Sequence, residues 1–170
     1  YFDFEQSAYD FHMLMKYVAK ATMDKVFAYS LNDYSPAQGL RAIEEVLKRM
    51  KPQVIMVDGL ADLVSSPNEE SECFALYTKL MQLAREHECA VIGVIHLNPG
   101  SQEKSRGHLG SQAERKCKTV IQIDRDGEER EIYTRFSRGQ PVPKGQGVRF
   151  EWCDKEGGFV ELEQSANEAK

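Results

Sequence analysis

The first half of the chain alternates between short apolar runs and longer segments with a helical hydrophobic period. The apolar runs predict strands, at residues 1–4, 25–31, 54–57 and 90–95. The run at 54–57 is continuous, so we expect it to be buried on both faces of a sheet. Between the runs, apolar residues recur at the period of amphipathic helices, over residues 7–22, 35–50 and 66–87. Strands and helices in alternation favour right-handed crossovers and a parallel sheet.

The second half of the chain has a different pattern. Short apolar segments separated by glycine-containing turns predict an antiparallel meander appended to the parallel sheet, with strands at residues 119–123, 130–136, 148–152 and 159–162. Between the two halves, residues 98–111 are polar and punctuated by glycine, which predicts a mobile loop. The expected fold class is therefore α/β, with a mainly parallel sheet flanked by helices and a C-terminal antiparallel meander.

Composition limits the class of protein. With 170 residues, of which 41% are hydrophobic, the chain can form one compact domain, expected over residues 1–162 with a polar tail at 163–170. The cysteines are far apart and form no C-x-x-C pair, which favours reduced thiols in a cytoplasmic protein. No apolar run approaches the roughly 18 residues of a membrane span. The chain begins at Tyr1 without an initiator methionine, so we expect a fragment of a longer protein.

Charge is distributed unevenly along the chain. The net charge of -5 argues against a protein that coats nucleic acid with a generally basic surface. Residues 97–118 nevertheless contain five basic and two acidic side chains. Phosphate contacts from this segment would give salt-dependent, sequence-tolerant binding to single- or double-stranded DNA, through Lys104, Arg106, Lys116 and Lys118. An ordinary solvated loop is the alternative, and the segment has no aromatic side chain for base stacking.

Three predicted strands are followed by side chains that can take part in phosphoryl transfer. Glu5, Asp58 and His96 each stand at the carboxyl end of a strand, and in a parallel sheet these ends lie along one edge. One carboxylate could hold Mg²⁺ through water, a second could activate a water molecule, and the imidazole could sense a phosphate. The simpler interpretation of Asp58 is a turn residue before Gly59.

Four segments resemble, in order and spacing, the ATPase core of the RecA and DnaB class. They are residues 1–7, 54–59, 91–98 and 135–139, and together they span nearly the whole chain. The chain looks most similar to the RepA-like ATPases of plasmids and of Bacteroides-type mobilizable transposons, in which a stretch like residues 106–111 follows the histidine strand. The resemblance implies a RecA-like sheet, with ATP and Mg²⁺ as cofactors.

The resemblance also implies a role for each matched residue. Glu5 would activate the attacking water, Asp58 would bind Mg²⁺, and His96 would read the γ-phosphate. Arg135 and Arg138 would reach the nucleotide of a neighbouring subunit in a homo-oligomeric ring or filament. The segment at 97–118 would face DNA in the centre of that assembly, and its DNA-binding residues would be Lys104, Arg106, His108, Lys116 and Lys118.

The sequence departs from this class in one respect. It contains no G-x-x-x-x-G-K-S/T motif, whose backbone amides and lysine hold the β- and γ-phosphates. We therefore expect these 170 residues to bind ATP poorly and not to hydrolyse it at a useful rate. The parent protein is expected to be the ATPase, a DNA-binding or helicase-type protein acting in DNA mobilisation or replication.

Two other interpretations stay open. The chain could be a non-catalytic DNA-binding or assembly module that has lost its nucleotide site. It could also be a receiver domain of two-component signalling, with Asp3 and Glu5 as the acidic pair and Asp58 as the phosphorylated residue. The receiver fits less well, because His96 stands where a serine or threonine is expected and the strand at 119–123 has no lysine at its carboxyl end.

Overall fold

The computed structural model describes residues 1–21, 25–97 and 107–162. Contacts between residues divide the chain into two compact units, Tyr1–Arg115 and Lys116–Lys170. Lys104, Arg106 and the polar tail predicted at 163–170 lie outside the described residues. Within the described ranges, no helix is both long enough and apolar enough to cross a membrane.

The first unit is built on a parallel sheet, which confirms the prediction for this half of the chain. The strands run in the order β2-β1-β3-β4 and are β1 (Phe2–Asp3), β2 (Tyr29–Ser30), β3 (Val54–Asp58) and β4 (Ala90–Val94). The register pairs Asp3 with Asp58 across β1 and β3, and Asp58 with Val94 across β3 and β4. The carboxyl ends of β1, β3 and β4 therefore lie side by side at one edge of the sheet.

Helices follow the strands of the first unit. The hydrophobic pattern predicts α1 (Ala8–Ala21), α2 (Pro36–Met50) and α3 (Glu70–Glu86), whereas α4 (Gly107–Lys116) and a short 3-10 helix (Leu60–Leu63) were not predicted. At the start of α2, the side chain of Gln38 accepts the backbone N–H of Ser35 at 2.9 Å, which is half of a capping box. The helix ends at Lys51, which adopts the left-handed conformation common at helix C-termini.

The start of α3 differs from the prediction. The sequence predicts a start at residues 65–67, whereas the helix begins at Glu70, after Glu69 at the N-cap. The backbone N–H of Glu69 donates to the Ser66 carbonyl at 3.1 Å, so these residues form a turn before the helix. Glu70 and Glu72 occupy the first helical turn, where carboxylates stabilise the positive end of the helix dipole.

The core of the first unit lies on one face of the sheet. Phe2, Ile55 and Val57 are almost wholly buried there. The helices α2 and α3 contribute the buried residues Gly39, Ile43, Leu47, Cys73, Leu76, Tyr77, Leu80 and Leu83. A Cβ at Gly93 would meet Leu60 Cδ1 at 2.3 Å, so the 3-10 helix packs against β4 at a distance that only glycine allows.

The opposite face of the sheet is much less covered. Val54 is 53% exposed and Met56 is 38% exposed, so the prediction that residues 54–57 are buried on both faces is wrong. Successive residues of a strand point to opposite faces, and the described helices bury mainly the face that holds the core. None of the described residues of α1 is fully buried, although its predicted apolar stripe is half-buried, at Phe11, Leu14, Met15 and Val18.

The segment predicted as a loop contains a helix. Residues 107–111 belong to α4, so the loop prediction is wrong for this part, while residues 98–106 lie outside the described residues. Glycine is a poor helix former. Leu109 and Ala113 are buried in α4, and their burial outweighs the local preference of Gly107 and Gly110 for irregular structure.

The second unit is the predicted antiparallel meander, and it forms a sheet of its own. Its strands are β5 (Thr119–Asp126), β6 (Glu129–Ser137), β7 (Val148–Cys153) and β8 (Gly158–Glu161). Side chains tie the connection between β6 and β7 to the sheet. Glu131 Oε1 accepts the backbone N–H of Gly145 at 2.6 Å, and Lys144 Nζ lies 2.5 Å from Asp124 Oδ2.

Candidate active site

Glu5 and His96 meet at the carboxyl edge of the parallel sheet. His96 Nε2 lies 2.8 Å from Glu5 Oε2, a hydrogen bond whose direction depends on the tautomer of the ring. Each residue follows its strand by two positions, and β3 lies between the two strands in the sheet. Both side chains are accessible to solvent, since 37% of Glu5 and 65% of His96 is exposed. The pair is therefore placed to meet a ligand at this edge.

A buried carboxylate holds the turn that carries Glu5. Asp3 is fully buried, and its Oδ1 accepts the backbone N–H of Glu5 at 3.1 Å and of Gln6 at 2.8 Å. A buried carboxylate is costly unless hydrogen bonds satisfy it, and these two donors do so in part. The Phe4 N–H donates to the backbone carbonyl of Asp58 at 3.0 Å. The backbone that leads to Glu5 is therefore tied both to Asp3 and to β3.

The phenol of Tyr1 joins the carboxylates of Asp3 and Asp58. Its oxygen lies 2.8 Å from Asp3 Oδ2 and 2.7 Å from Asp58 Oδ2. Burial is the largest cause that raises the pKa of the Tyr1 hydroxyl, and the hydrogen bonds to Asp58 and Asp3 add to it, so the phenol keeps its proton. The ring stacks against Phe11 of α1 with 6.4 Å between centroids. We call Tyr1, Asp3 and Asp58 the acidic cluster.

The residue after Asp58 has to be glycine. Gly59 has a φ of +93°, in the region that residues with a side chain disfavour. A Cβ at this position would lie 2.7 Å from Asp62 Oδ2 and 3.1 Å from Glu5 Cγ. The Asp58–Gly59 pair is thus a turn, and the same turn brings the backbone of residue 59 close to Glu5.

Asp58 has the chemistry of a Mg²⁺ ligand. It is half-buried at the carboxyl end of β3, and Mg²⁺ is usually held by one or two carboxylates together with water and substrate phosphates. Such a site differs from one in which protein side chains alone surround the ion. Across residues 1–21, 25–97 and 107–162, no group of three or more His, Cys, Asp or Glu side chains is placed to hold an ion. As a single carboxylate, Asp58 has the chemistry to share an ion with the phosphates of a nucleotide.

Arg135 and Arg138 are anchored within the second unit. Arg135 lies on β6, and its Nη1 is 3.5 Å from Gln122 Oε1. Arg138 follows β6 and is exposed. Its guanidinium carbon lies 5.8 Å from the centroid of the Phe136 ring, and its Nε donates to the Cys117 carbonyl at 3.3 Å. These contacts hold both arginines to the meander.

The basic residues predicted to contact DNA are only partly described. Lys104 and Arg106 lie outside the described residues. His108 is exposed in the first turn of α4, Lys116 is the last residue of that helix, and Lys118 is exposed between α4 and β5. His108 and Lys118 are therefore accessible to a partner.

The phosphoryl-transfer interpretation of the sequence missed Tyr1 and Asp3. The strand period of two places both residues on the same face of the strand. This alternation is visible in the sequence and is the signal that could have identified them. The register that brings Asp3 opposite Asp58 is visible only in the structure.

Comparisons with known proteins bear on the fold. No protein-family model matches the sequence, and no curated protein matches it. A solved structure, that of a KaiC-like protein from the hyperthermophilic archaeon Pyrococcus horikoshii, is similar, with a TM-score of 0.63. The two sequences are 19% identical, and the match covers 95% of this chain and 74% of that chain. At this identity the likeness shows the fold alone, which is RecA-like.

Proposed function

We propose that this chain is part of the core of a cytoplasmic RecA-like ATPase that acts on DNA, similar to the RepA-like ATPases of plasmids and mobilizable transposons. The observation that carries the proposal is the 2.8 Å contact between Glu5 and His96. A carboxylate and an imidazole held together beside Asp58, at the carboxyl edge of a parallel sheet, are the parts that phosphoryl transfer needs. The RecA-like fold supports this assignment.

In the proposed reaction, Glu5 is the general base. Its carboxylate is accessible to water, and Asp3 holds the backbone of its turn. Glu5 would orient a water molecule and accept its proton as the water attacks the γ-phosphorus of ATP. His96 would donate Nε2–H to the Glu5 carboxylate, and its second ring nitrogen, Nδ1, would donate to the γ-phosphate when both nitrogens carry a proton. The imidazole would then link the base to the nucleotide.

Asp58 is the proposed ligand of the metal. Mg²⁺ would neutralise charge on the β- and γ-phosphates, and Asp58 would hold the ion through water. The sequence contains no G-x-x-x-x-G-K-S/T motif, so we propose that residues outside this chain hold the phosphates.

The proposed partners are DNA and further copies of the protein. Arg135 and Arg138 would reach the nucleotide of a neighbouring subunit in a ring or filament. The basic side chains of the segment at 97–118 would contact the phosphates of the DNA backbone, without reading the bases. These assignments are supported by the resemblance to RecA-class ATPases and by the local excess of basic side chains.

The proposal is tested by ATP turnover of the full-length gene product. We expect Glu5→Gln to lower kcat by roughly 10² or more with ATP affinity retained, because the amide cannot accept the proton. Glu45→Gln is the matched control, since Glu45 lies on the exposed surface of α2, where it forms ion pairs with Lys48 and Arg49. Unchanged turnover in Glu5→Gln would remove Glu5 from the mechanism.

Two other outcomes would favour the alternative functions. A full-length protein that binds DNA and hydrolyses no ATP would be a non-catalytic DNA-binding or assembly module. Labelling of Asp58 by acetyl phosphate would indicate a receiver domain, because receivers accept a phosphoryl group on an aspartate at the end of a strand.

A further inference from the structure

We infer that Tyr1 and Asp3 are positioning residues that hold the water-activating Glu5 and the metal-binding Asp58 in one fixed arrangement. The inference rests on the proposed function, because it assigns the residues that support the proposed base and the proposed metal ligand. Within the acidic cluster, Asp3 accepts the backbone N–H of Glu5, and the Tyr1 hydroxyl lies within hydrogen-bonding distance of the Asp3 and Asp58 carboxylates.

The two oxygens of Asp3 have different partners. Oδ1 accepts the backbone N–H groups of Glu5 and Gln6, and Oδ2 is bonded to the Tyr1 hydroxyl. Asp3 has no solvent exposure, so bulk water cannot replace a lost partner. The orientation of the carboxylate is therefore set by the turn on one side and by the phenol on the other.

The phenol of Tyr1 lies close to two carboxylates that face each other across β1 and β3. Asp3 and Asp58 are directly opposite each other in the register, and like charges at opposed positions destabilise a pair of strands. Tyr1 places a hydroxyl donor within 2.8 Å of one carboxylate and 2.7 Å of the other. The ring is held in place by its stacking on Phe11. The phenol has one proton, so it donates to one carboxylate at a time, and this shared donor offsets part of the repulsion and couples the orientation of the two carboxylates.

A continuous chain of close polar contacts therefore connects the proposed metal ligand to the proposed base, and within it Asp58 and Asp3 share the single proton of the Tyr1 hydroxyl. It runs from Asp58 through Tyr1 to Asp3, and from Asp3 to the backbone of Glu5. Strand pairing alone fixes the Cα atoms at the end of β1 and β3, but Glu5 lies beyond the pairing, in a turn. The distance between the Glu5 and Asp58 carboxylates thus depends on the contacts that Tyr1 and Asp3 make.

Tyr1→Phe is the most direct test, because it removes the hydroxyl and keeps the stacked ring. We expect protection of the Glu5 and Gln6 amides from hydrogen exchange in this chain to fall roughly 3- to 10-fold, since the bond that orients Asp3 is lost. In the full-length gene product, we expect kcat to fall roughly 10-fold while KM for ATP changes less than about twofold. Tyr9→Phe is the matched control, because Tyr9 is 72% exposed and outside the cluster.

A second variant tests whether Asp3 and Tyr1 act together. Asp3→Asn keeps an oxygen that can accept the Glu5 and Gln6 amides, whereas its amide nitrogen would face the phenol. We expect its effect on kcat to be smaller in the Tyr1→Phe background than alone, because residues that act through one chain of contacts are not additive. Full additivity of the two substitutions would show that they act separately and would overturn the inference.

The remaining outcomes are also decisive. Unchanged protection of the Glu5 and Gln6 amides in Tyr1→Phe would overturn the inference. A loss of protection with unchanged kcat in an active enzyme would do the same, because the cluster would then have only a structural role. If the wild-type gene product hydrolyses no ATP, the proposed function fails, and the exchange measurement by itself decides whether the cluster holds the Glu5 turn.

Discussion

Glu5 Oε2 lies 2.8 Å from His96 Nε2, although 91 positions separate the two residues in the chain. The contact exists because β1 and β4 lie on either side of β3 in a parallel sheet, so that the ends of all three strands reach the same edge. The pair links the proposed base to the proposed phosphate sensor. A substitution at either residue should therefore change the hydrogen bonding of the other side chain.

Replacement of His96 tests this link. We expect His96→Ala to lower kcat of the full-length gene product roughly 10- to 100-fold, because Glu5 loses the partner that orients it. His96→Gln should retain more activity, since its amide can still bond to the Glu5 carboxylate. His12→Ala, at an exposed position of α1, is the control. Equal losses of kcat in the alanine and glutamine variants would contradict a hydrogen-bonding role for His96.

Replacement of Gly59 should disturb both stability and the site. Gly59→Ala places a Cβ at a φ of +93° and within 3.1 Å of Glu5 Cγ, so we expect the free energy of unfolding to fall by about 1–2 kcal/mol or more. Gly127→Ala is a matched control, because Gly127 also has a positive φ, of +60°, but a Cβ there would meet nothing within 4 Å. Urea denaturation measures the difference between the two variants. Equal losses would show that the close approach to Asp62 and Glu5 adds nothing to the cost at position 59.

The meander should lose stability in acid through Asp124. Burial alone would raise the pKa of this carboxyl, but hydrogen bonds from Lys144, Gln122 and Tyr133 outweigh it, and the pKa lies below its ordinary value of 3.8. A lowered pKa in the folded state means that the stabilisation is complete above the unfolded pKa and is lost as the pH falls through the folded one. We therefore expect the free energy of unfolding to fall less steeply between about pH 5 and pH 3 in Asp124→Asn than in the wild type. Identical pH profiles would show that Asp124 gains nothing from its partners.

The segment at 97–118 should contribute to the salt dependence of DNA binding. Each phosphate contact that is lost lowers the slope of log K against log salt by about 0.9 on duplex DNA. We expect Lys116→Gln with Lys118→Gln to reduce the slope of the full-length gene product, and Lys104→Gln with Arg106→Gln to do the same. Fluorescence anisotropy at several salt concentrations measures the slope, with Lys48→Gln on α2 as the control. A slope that none of these substitutions changes would place the DNA contact elsewhere.

Elements with local signals were predicted closely. The sequence places a helix at residues 35–50, and α2 spans Pro36–Met50, because the serine cap and the first-turn proline act within a single turn of the chain. The apolar run that ends in Asp58 matches β3 in the same way. α4 was missed because its cause is not local. Its glycines favour a loop, and only the burial of Leu109 and Ala113 in the folded unit makes it a helix.

The sequence by itself determined that Glu5, Asp58 and His96 follow strands, because the hydrophobic period marks where each strand ends. Only the tertiary structure decided which of these residues touch. It paired β1 with β3, which joined Tyr1 to a carboxylate 57 positions away, and it left Val54 and Met56 on one face of β3 exposed. The physical reason is that periodicity acts within one element, whereas strand order and register are set by burying the whole core at once. The acidic cluster forms because strand order and register bring Asp3 opposite Asp58.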